Sequence, residues 1–170
     1  MTAMEAFHKR VPTIGAREYR SFTALGIEGL PQAEYGFMEF YCNDPSCDCR
    51  RVQLVVFAPE VSSDFLATIS YGWESLGFYK KCFRFISEED SPCEPTLEPF
   101  GEQSQYSGIL LDCFKRFLLS DEAYVERLKR HYRLFKSALS VNRAPSTRPR
   151  ASTKRRTHSK RKTRSHRRKR

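Results

Sequence analysis

Two alternating runs, Glu34 to Cys42 and Arg51 to Ala58, separated by only eight residues, constrain this chain more than any other feature. In the first, Tyr35, Phe37, Glu39 and Tyr41 alternate with Gly36, Met38, Phe40 and Cys42, the second set being the more apolar. In the second, Val52, Leu54 and Val56 alternate with Gln53, Val55 and Phe57. Period-two alternation of aromatic and β-branched residues predicts strands, and so short a link predicts an antiparallel pair. Pro59 ends the second strand, Ser62-Ser63-Asp64 supplies a turn, and Phe65 to Tyr71 reads as a third strand. Upstream, Tyr19 to Leu25 reads as an edge strand, with a turn over residues 26–32 marked by Gly26, Gly29 and Pro31.

The rest of the folded region reads as helix and loop. Trp73 to Phe83 carries apolar residues at helical spacing and predicts a short helix. Residues 87–103 are acidic and hold Pro92, Pro95, Pro99 and Gly101, which predicts a surface loop without regular structure. Two helices follow. Ser104 can cap the first, with the stripe Tyr106, Ile109, Leu110, Cys113, Phe114, Phe117 and Leu118. Ser120 or Asp121 can cap the second, with Tyr124, Val125, Leu128, Tyr132, Phe135 and Leu139. Residues 1–18, broken by Pro12 and Gly15, are weakly periodic and read as an arm or partial helix. The expected fold is α+β: an antiparallel β-meander with two C-terminal helices packed on one face, occupying residues 19–141.

Charge divides the chain at that last boundary. From Asn142 to Arg170 there are 14 Lys and Arg and no acidic residue, leaving 16 basic against all 20 acidic residues in the body, a formal −4. The body is therefore mildly acidic, and the net +10 belongs to the tail. With no hydrophobic residue larger than alanine, residues 142–170 cannot bury enough surface to offset the entropy of ordering, and disorder is expected. A run of this kind neutralises phosphates and releases counterions, so non-specific nucleic-acid binding is expected through Lys154, Arg155, Arg156, Lys160, Arg161, Lys162, Arg164, Arg167, Arg168, Lys169 and Arg170. An acidic protein or membrane surface is the competing polyanion.

The link between the two strands holds the densest chemistry. Tyr41-Cys42-Asn43-Asp44-Pro45-Ser46-Cys47-Asp48-Cys49-Arg50-Arg51 contains half of the six cysteines, at C-x4-C-x-C spacing. Residues two apart in an extended loop point to the same side, which suits Cys47 and Cys49, and Cys42 at the strand end can complete a three-thiolate face. Zinc takes four such ligands in a tetrahedron, so Zn2+ is the expected cofactor, with a structural role. The fourth ligand is not written locally; Asp44, His131, Cys82, Cys93 and Cys113 are the candidates. Cys113 lies on a helical stripe and suits a core position. The first thirty residues hold no apolar stretch long enough for a signal-peptide core, and charges interrupt every hydrophobic run well short of the ~18 residues that cross a bilayer. No membrane association is expected. A cytoplasmic or nucleoid-associated location is expected, or a nuclear one in a nucleated cell, where thiols stay reduced and clustered cysteines serve metals rather than disulfides.

No nucleophile elbow, phosphate-cradling glycine loop, paired-histidine metal motif or spaced carboxylate pair is present. An enzyme of unknown reaction, using a thiol or an open-coordinated metal at the cysteine loop, is the alternative to a binding module. The aromatic cluster at Tyr71-Gly72-Trp73-Glu74, with Phe78 and Tyr79, reads as core and rim.

The segment Tyr41 to Val52, the later Ala67-Thr68-Ile69-Ser70-Tyr71-Gly72-Trp73-Glu74 and the closing Tyr124-Val125-Glu126-Arg127-Leu128-Lys129-Arg130-His131-Tyr132 together resemble a family of uncharacterised, mainly bacterial proteins. The resemblance spans residues 34–136. It implies a single small domain uniting the cysteine loop, the third strand and the last helix, and it implies no activity. It also favours Cys42, Cys47, Cys49 and His131 as metal ligands over Cys82, Cys93 and Cys113, which lie outside those motifs. The basic tail is not part of the pattern.

Overall fold

The computed structural model describes residues 3–83 and 92–141. Six antiparallel strands form one sheet: β1 Met4–Ala6, β2 Arg20–Thr23, β3 Glu34–Cys42, β4 Arg51–Phe57, β5 Ala67–Gly72 and β6 Thr96–Leu97. β3, β4, β5 and β6 run as a meander, while β1 and β2 share the outer edge of β3, one at each end. Short helices α1 Phe7–Arg10 and α2 Pro12–Arg17 lie between β1 and β2, and α3 Leu76–Cys82 follows β5. The described residues close with α4 Ser107–Cys113 and α5 Glu122–Val141. The α+β reading holds, and the tail at residues 142–170 lies outside the described residues.

The expected hairpin forms in register, with Phe37 opposite Val56 and Glu39 opposite Leu54. The face that the helices cover is the less apolar of the two. Tyr35, Phe37, Glu39 and Tyr41 are buried, continuing across the sheet into Val52, Leu54 and Val56, whereas Met38 and Phe40 are only half-buried. Aromatic area outweighs the single carboxylate: large rings bury ~150–250 Å² each, and Glu39 finds polar partners inside.

From above the sheet, Leu110, Phe114 and Leu118 on one side and Tyr124, Leu128, Tyr132, Phe135 and Leu139 on the other complete the core. Asp121 caps α5 by accepting from Ala123 N (3.1 Å). Ser104 accepts from Tyr106 N (3.1 Å), but the helix itself begins at Ser107. After Cys113 the helix widens to an i→i+5 turn, Leu119 N donating to Phe114 O (3.1 Å). Phe114 and Leu118 stay inside while Phe117, expected on the apolar stripe, is turned toward solvent.

Two segments carry more structure than their sequences suggest. Residues 4–6, expected as part of an arm, pair with the end of β3, Met4 opposite Cys42, and Phe7 is buried. Thr96–Leu97, in the proline-rich stretch expected to be irregular, pairs with Ser70 and Ile69 of β5. Both are two- or three-residue edge pairings, too short to leave an alternating signature.

Gly72 marks a close approach. Its amide donates to Pro92 O (2.6 Å), and a Cβ there would collide with the hydroxyl of Tyr79, which crosses beside it to reach Arg50 O at 2.8 Å. Gly72→Ala is therefore expected to cost about 1–3 kcal/mol by overpacking. A chemical-denaturation midpoint equal to that of the parent would show that Tyr79 gives way freely.

Candidate metal centre

Each end of the cysteine loop is fixed by a strand. Cys42 closes β3, where β1 holds it: Met4 pairs with it and Asn43 N donates to Ala3 O (3.1 Å). The loop then turns on Asp44, whose Oδ1 accepts from Ser46 N (2.8 Å) and Ser46 Oγ (2.6 Å), while Cys47 N donates to Asp44 O (3.2 Å). Asn-Asp-Pro-Ser thus performs the turn its residue types predict. At the far end Arg50 has φ +43°, a left-handed conformation that side chains with a Cβ seldom adopt. The surrounding bonds hold it there. Its guanidinium reaches Asp48 and Glu74 (Nη1 to Oε1, 3.1 Å), it lies over the Phe78 ring, and its carbonyl accepts from Tyr79.

Helix α5 braces the loop from the other side. Lys136 Nζ donates to the carbonyls of Asp44 (2.8 Å) and Cys47 (2.7 Å), and Tyr132 donates its hydroxyl to Asp48 Oδ1 (3.0 Å). The Arg50 and Tyr132 hydrogen bonds hold the Asp48 carboxyl below its usual range, with burial opposing them.

Held this way, the ligand atoms of Cys42, Cys47 and Cys49 all lie within 4.8 Å of one another. All three are free thiols, with Cys42 and Cys49 buried and Cys47 partly exposed. Burial, and then the neighbouring sulfurs Cys47 and Cys42, push the Cys49 thiol up to about 12; burial and Cys42 also raise Cys47. Such a group stays neutral until something compensates its charge. A soft divalent cation would supply that compensation, with Cys42, Cys47 and Cys49 giving up thiol protons to hold it.

His131, expected beside these sulfurs, lies elsewhere and is not in the group. It is buried on α5 with Nδ1 2.7 Å from Glu39 Oε2 and Nε2 3.1 Å from Glu18 Oε2, and its ring stacks on Phe7 at 4.3 Å. Tyr41 completes the cluster, donating to Glu39 Oε2 (2.8 Å), with Leu128 O 3.1 Å away. Burial, and then Glu39, push the Tyr41 phenol well up. Burial acts to raise the Glu18 carboxyl, but bonds from Arg130 and His131 outweigh it and hold the group low. The adjoining cavity measures about 40 Å³. That is room for a water molecule or two, far below the ~300 Å³ at which substrate pockets begin. This polar cluster serves packing. A lone carboxylate among Tyr35, Phe37 and Tyr41 was its signal in the sequence.

The remaining cysteine candidates lie outside the three-sulfur group. Cys113 is buried on α4 beside a cleft formed with Gly26, Ile27 and Ile109. Cys93 follows Pro92 near the Tyr79 hydroxyl, and Cys82 ends α3. Trp73 packs edge-on against Tyr132 (5.5 Å) and lines a cleft of about 340 Å³ with Arg50, Lys129 and Arg133. The eleven Lys and Arg expected to bind nucleic acid lie outside the described residues. Among the described residues no helix is long and apolar enough to cross a membrane.

No family model, curated protein or solved structure matches this chain. The functional reading therefore rests on the residues themselves.

Proposed function

We propose that the chain is a metal-binding module, with zinc as the metal and a structural role for it, whose basic C-terminal segment brings it to nucleic acid. The observation that carries the first half is the convergence of Cys42, Cys47 and Cys49 on one point of a braced loop. Three thiol ligands favour zinc among abundant divalent ions, since hard cations such as magnesium and calcium prefer oxygen. Support for the second half is the charge division, 14 cations in residues 142–170 against a body of formal charge −4.

Partial exposure of Cys47 favours a second reading. It borders an open cleft of about 410 Å³ with Pro45, Asp48, Arg133 and Lys136. A metal holding a water on that side would polarise a substrate, giving an enzyme of a reaction the residues do not name. Four protein ligands would exclude it; three would leave it standing.

Elemental analysis of the full chain, purified natively without chelator, is expected to give about one zinc per chain. The triple variant Cys42→Ser/Cys47→Ser/Cys49→Ser is expected to give none. A fully folded parent protein with no bound metal would end this reading.

A further inference from the structure

We infer that Cys82 is the fourth ligand, closing a four-thiolate site and clamping α3 onto the cysteine loop. This rests on the metal-centre reading above. The Cys82 Sγ lies 3.9 Å from the carbonyl oxygen of Asp48, the residue between Cys47 and Cys49. Helix α3 is docked on this loop in two further places: Tyr79 donates to Arg50 O at 2.8 Å, and the Phe78 ring lies 4.8 Å under the Arg50 guanidinium. Residues 78, 79 and 82 thus carry one helix to the loop end where Cys49 sits.

Cys82 stands outside the 4.8 Å group, and closing the site requires its side chain to turn inward. Four sulfurs each ~2.3 Å from a zinc stand about 3.8 Å from one another in a tetrahedron. The residue is exposed and is the last of its helix. Three of the other candidates are committed elsewhere, and Cys93 is separated by the test below. His131 has a carboxylate at each ring nitrogen, Cys113 is buried on α4, and Asp44 Oδ1 holds the turn through Ser46.

A four-thiolate centre carries more negative charge than one with a neutral fourth ligand, and the loop has a cation beside it. Four thiols binding Zn2+ release four protons and leave a centre of formal charge −2. Lys136, whose ammonium already sits on the loop carbonyls, is placed to offset part of it. The sequence resemblance favours His131 instead; the positions of Glu18 and Glu39 argue against it.

The test uses the full reduced chain with Zn2+ and with Co2+ as a spectroscopic substitute. Counting thiols that react with an alkylating reagent, zinc is expected to protect four of the six cysteines, Cys82 among them by peptide mapping. Cys82→Ser is expected to bind Zn2+ on the order of 10-fold more weakly or worse, and its Co2+ complex to lose thiolate charge-transfer intensity. Cys82→His is expected to restore affinity with a shifted spectrum, and Cys93→Ser to match the parent. Hydrogen exchange in α3 is expected to slow on metal addition in the parent but not in Cys82→Ser. Zinc binding with three protected thiols and Cys82 still reactive would overturn this assignment while leaving the metal centre intact; protection of Cys93 in its place would do the same. An intact chain that takes up neither metal would overturn both.

Discussion

Replacing Glu39 with leucine is expected to destabilise the domain by about 3 kcal/mol or more, since it takes a hydrogen-bond partner from two buried groups, the His131 ring and the Tyr41 hydroxyl. That is a large share of the ~5–15 kcal/mol that holds a typical domain together. Glu39 is 6 % exposed and His131 1 %, so neither has bulk water to fall back on. Without the carboxylate, His131 Nδ1 loses its 2.7 Å partner, while the Tyr41 hydroxyl keeps only the Leu128 carbonyl. The penalty comes mainly from the stranded imidazole, and two comparisons separate that cause from poorer packing. Glu39→Gln retains an acceptor and is expected to cost less, about 1–3 kcal/mol. The double variant Glu39→Leu/His131→Leu is expected to recover part of the loss, since it leaves no unpaired buried group. Urea denaturation midpoints at unchanged slope read all three. A Glu39→Leu midpoint indistinguishable from the parent would mean that the cluster contributes nothing to stability.

That cluster also explains where sequence reading stops short. Alternation in Glu34 to Cys42 is enough to define β3, but not which of its faces the helices cover. Counting apolar residues favours the set containing Met38 and Phe40; the helices cover the set containing Glu39. The deciding partners, Glu18 and His131, stand 21 residues before and 92 after it, separations at which no local pattern operates. The same limit governs the metal centre. Cys42, Cys47 and Cys49 are legible because a single turn joins them. Cys82 is 33 residues past Cys49 and reaches the loop only because Tyr79 and Phe78 dock its helix there. Lys136 is equally hidden: on α5 it reads as an ordinary surface cation, yet it ties together two loop carbonyls. β1 and β6 escape for another reason. Their two or three residues are ordered by the neighbouring strand rather than by their own preference.

Binding to a nucleic-acid duplex is expected to weaken about 10³–10⁵-fold between 50 and 200 mM salt if the basic segment neutralises ~6–10 phosphates. Residues 142–170 supply 14 cations, enough to reach that range without help from the folded domain. Several of the domain's own cations are already engaged. On α5, Lys129 is paired with Glu126 and Arg130 with Glu18, while Lys136 is held by the cysteine loop; Arg20 and Arg50 also face carboxylates. Cations already engaged in this way must give up a partner to meet a phosphate, whereas residues 142–170 hold no acidic residue of their own. Deleting residues 142–170 is therefore expected to remove both the affinity and its salt dependence while leaving zinc content and the denaturation midpoint unchanged. Neutralising Lys154, Arg155 and Arg156 together should lower the slope of log affinity against log salt by about 0.9 for each phosphate no longer neutralised, equally for duplexes of different sequence. A tail-deleted chain that binds with the parent's affinity and slope would place the binding surface on the folded domain, with Arg133 beside the Trp73 cleft as the first residue to replace.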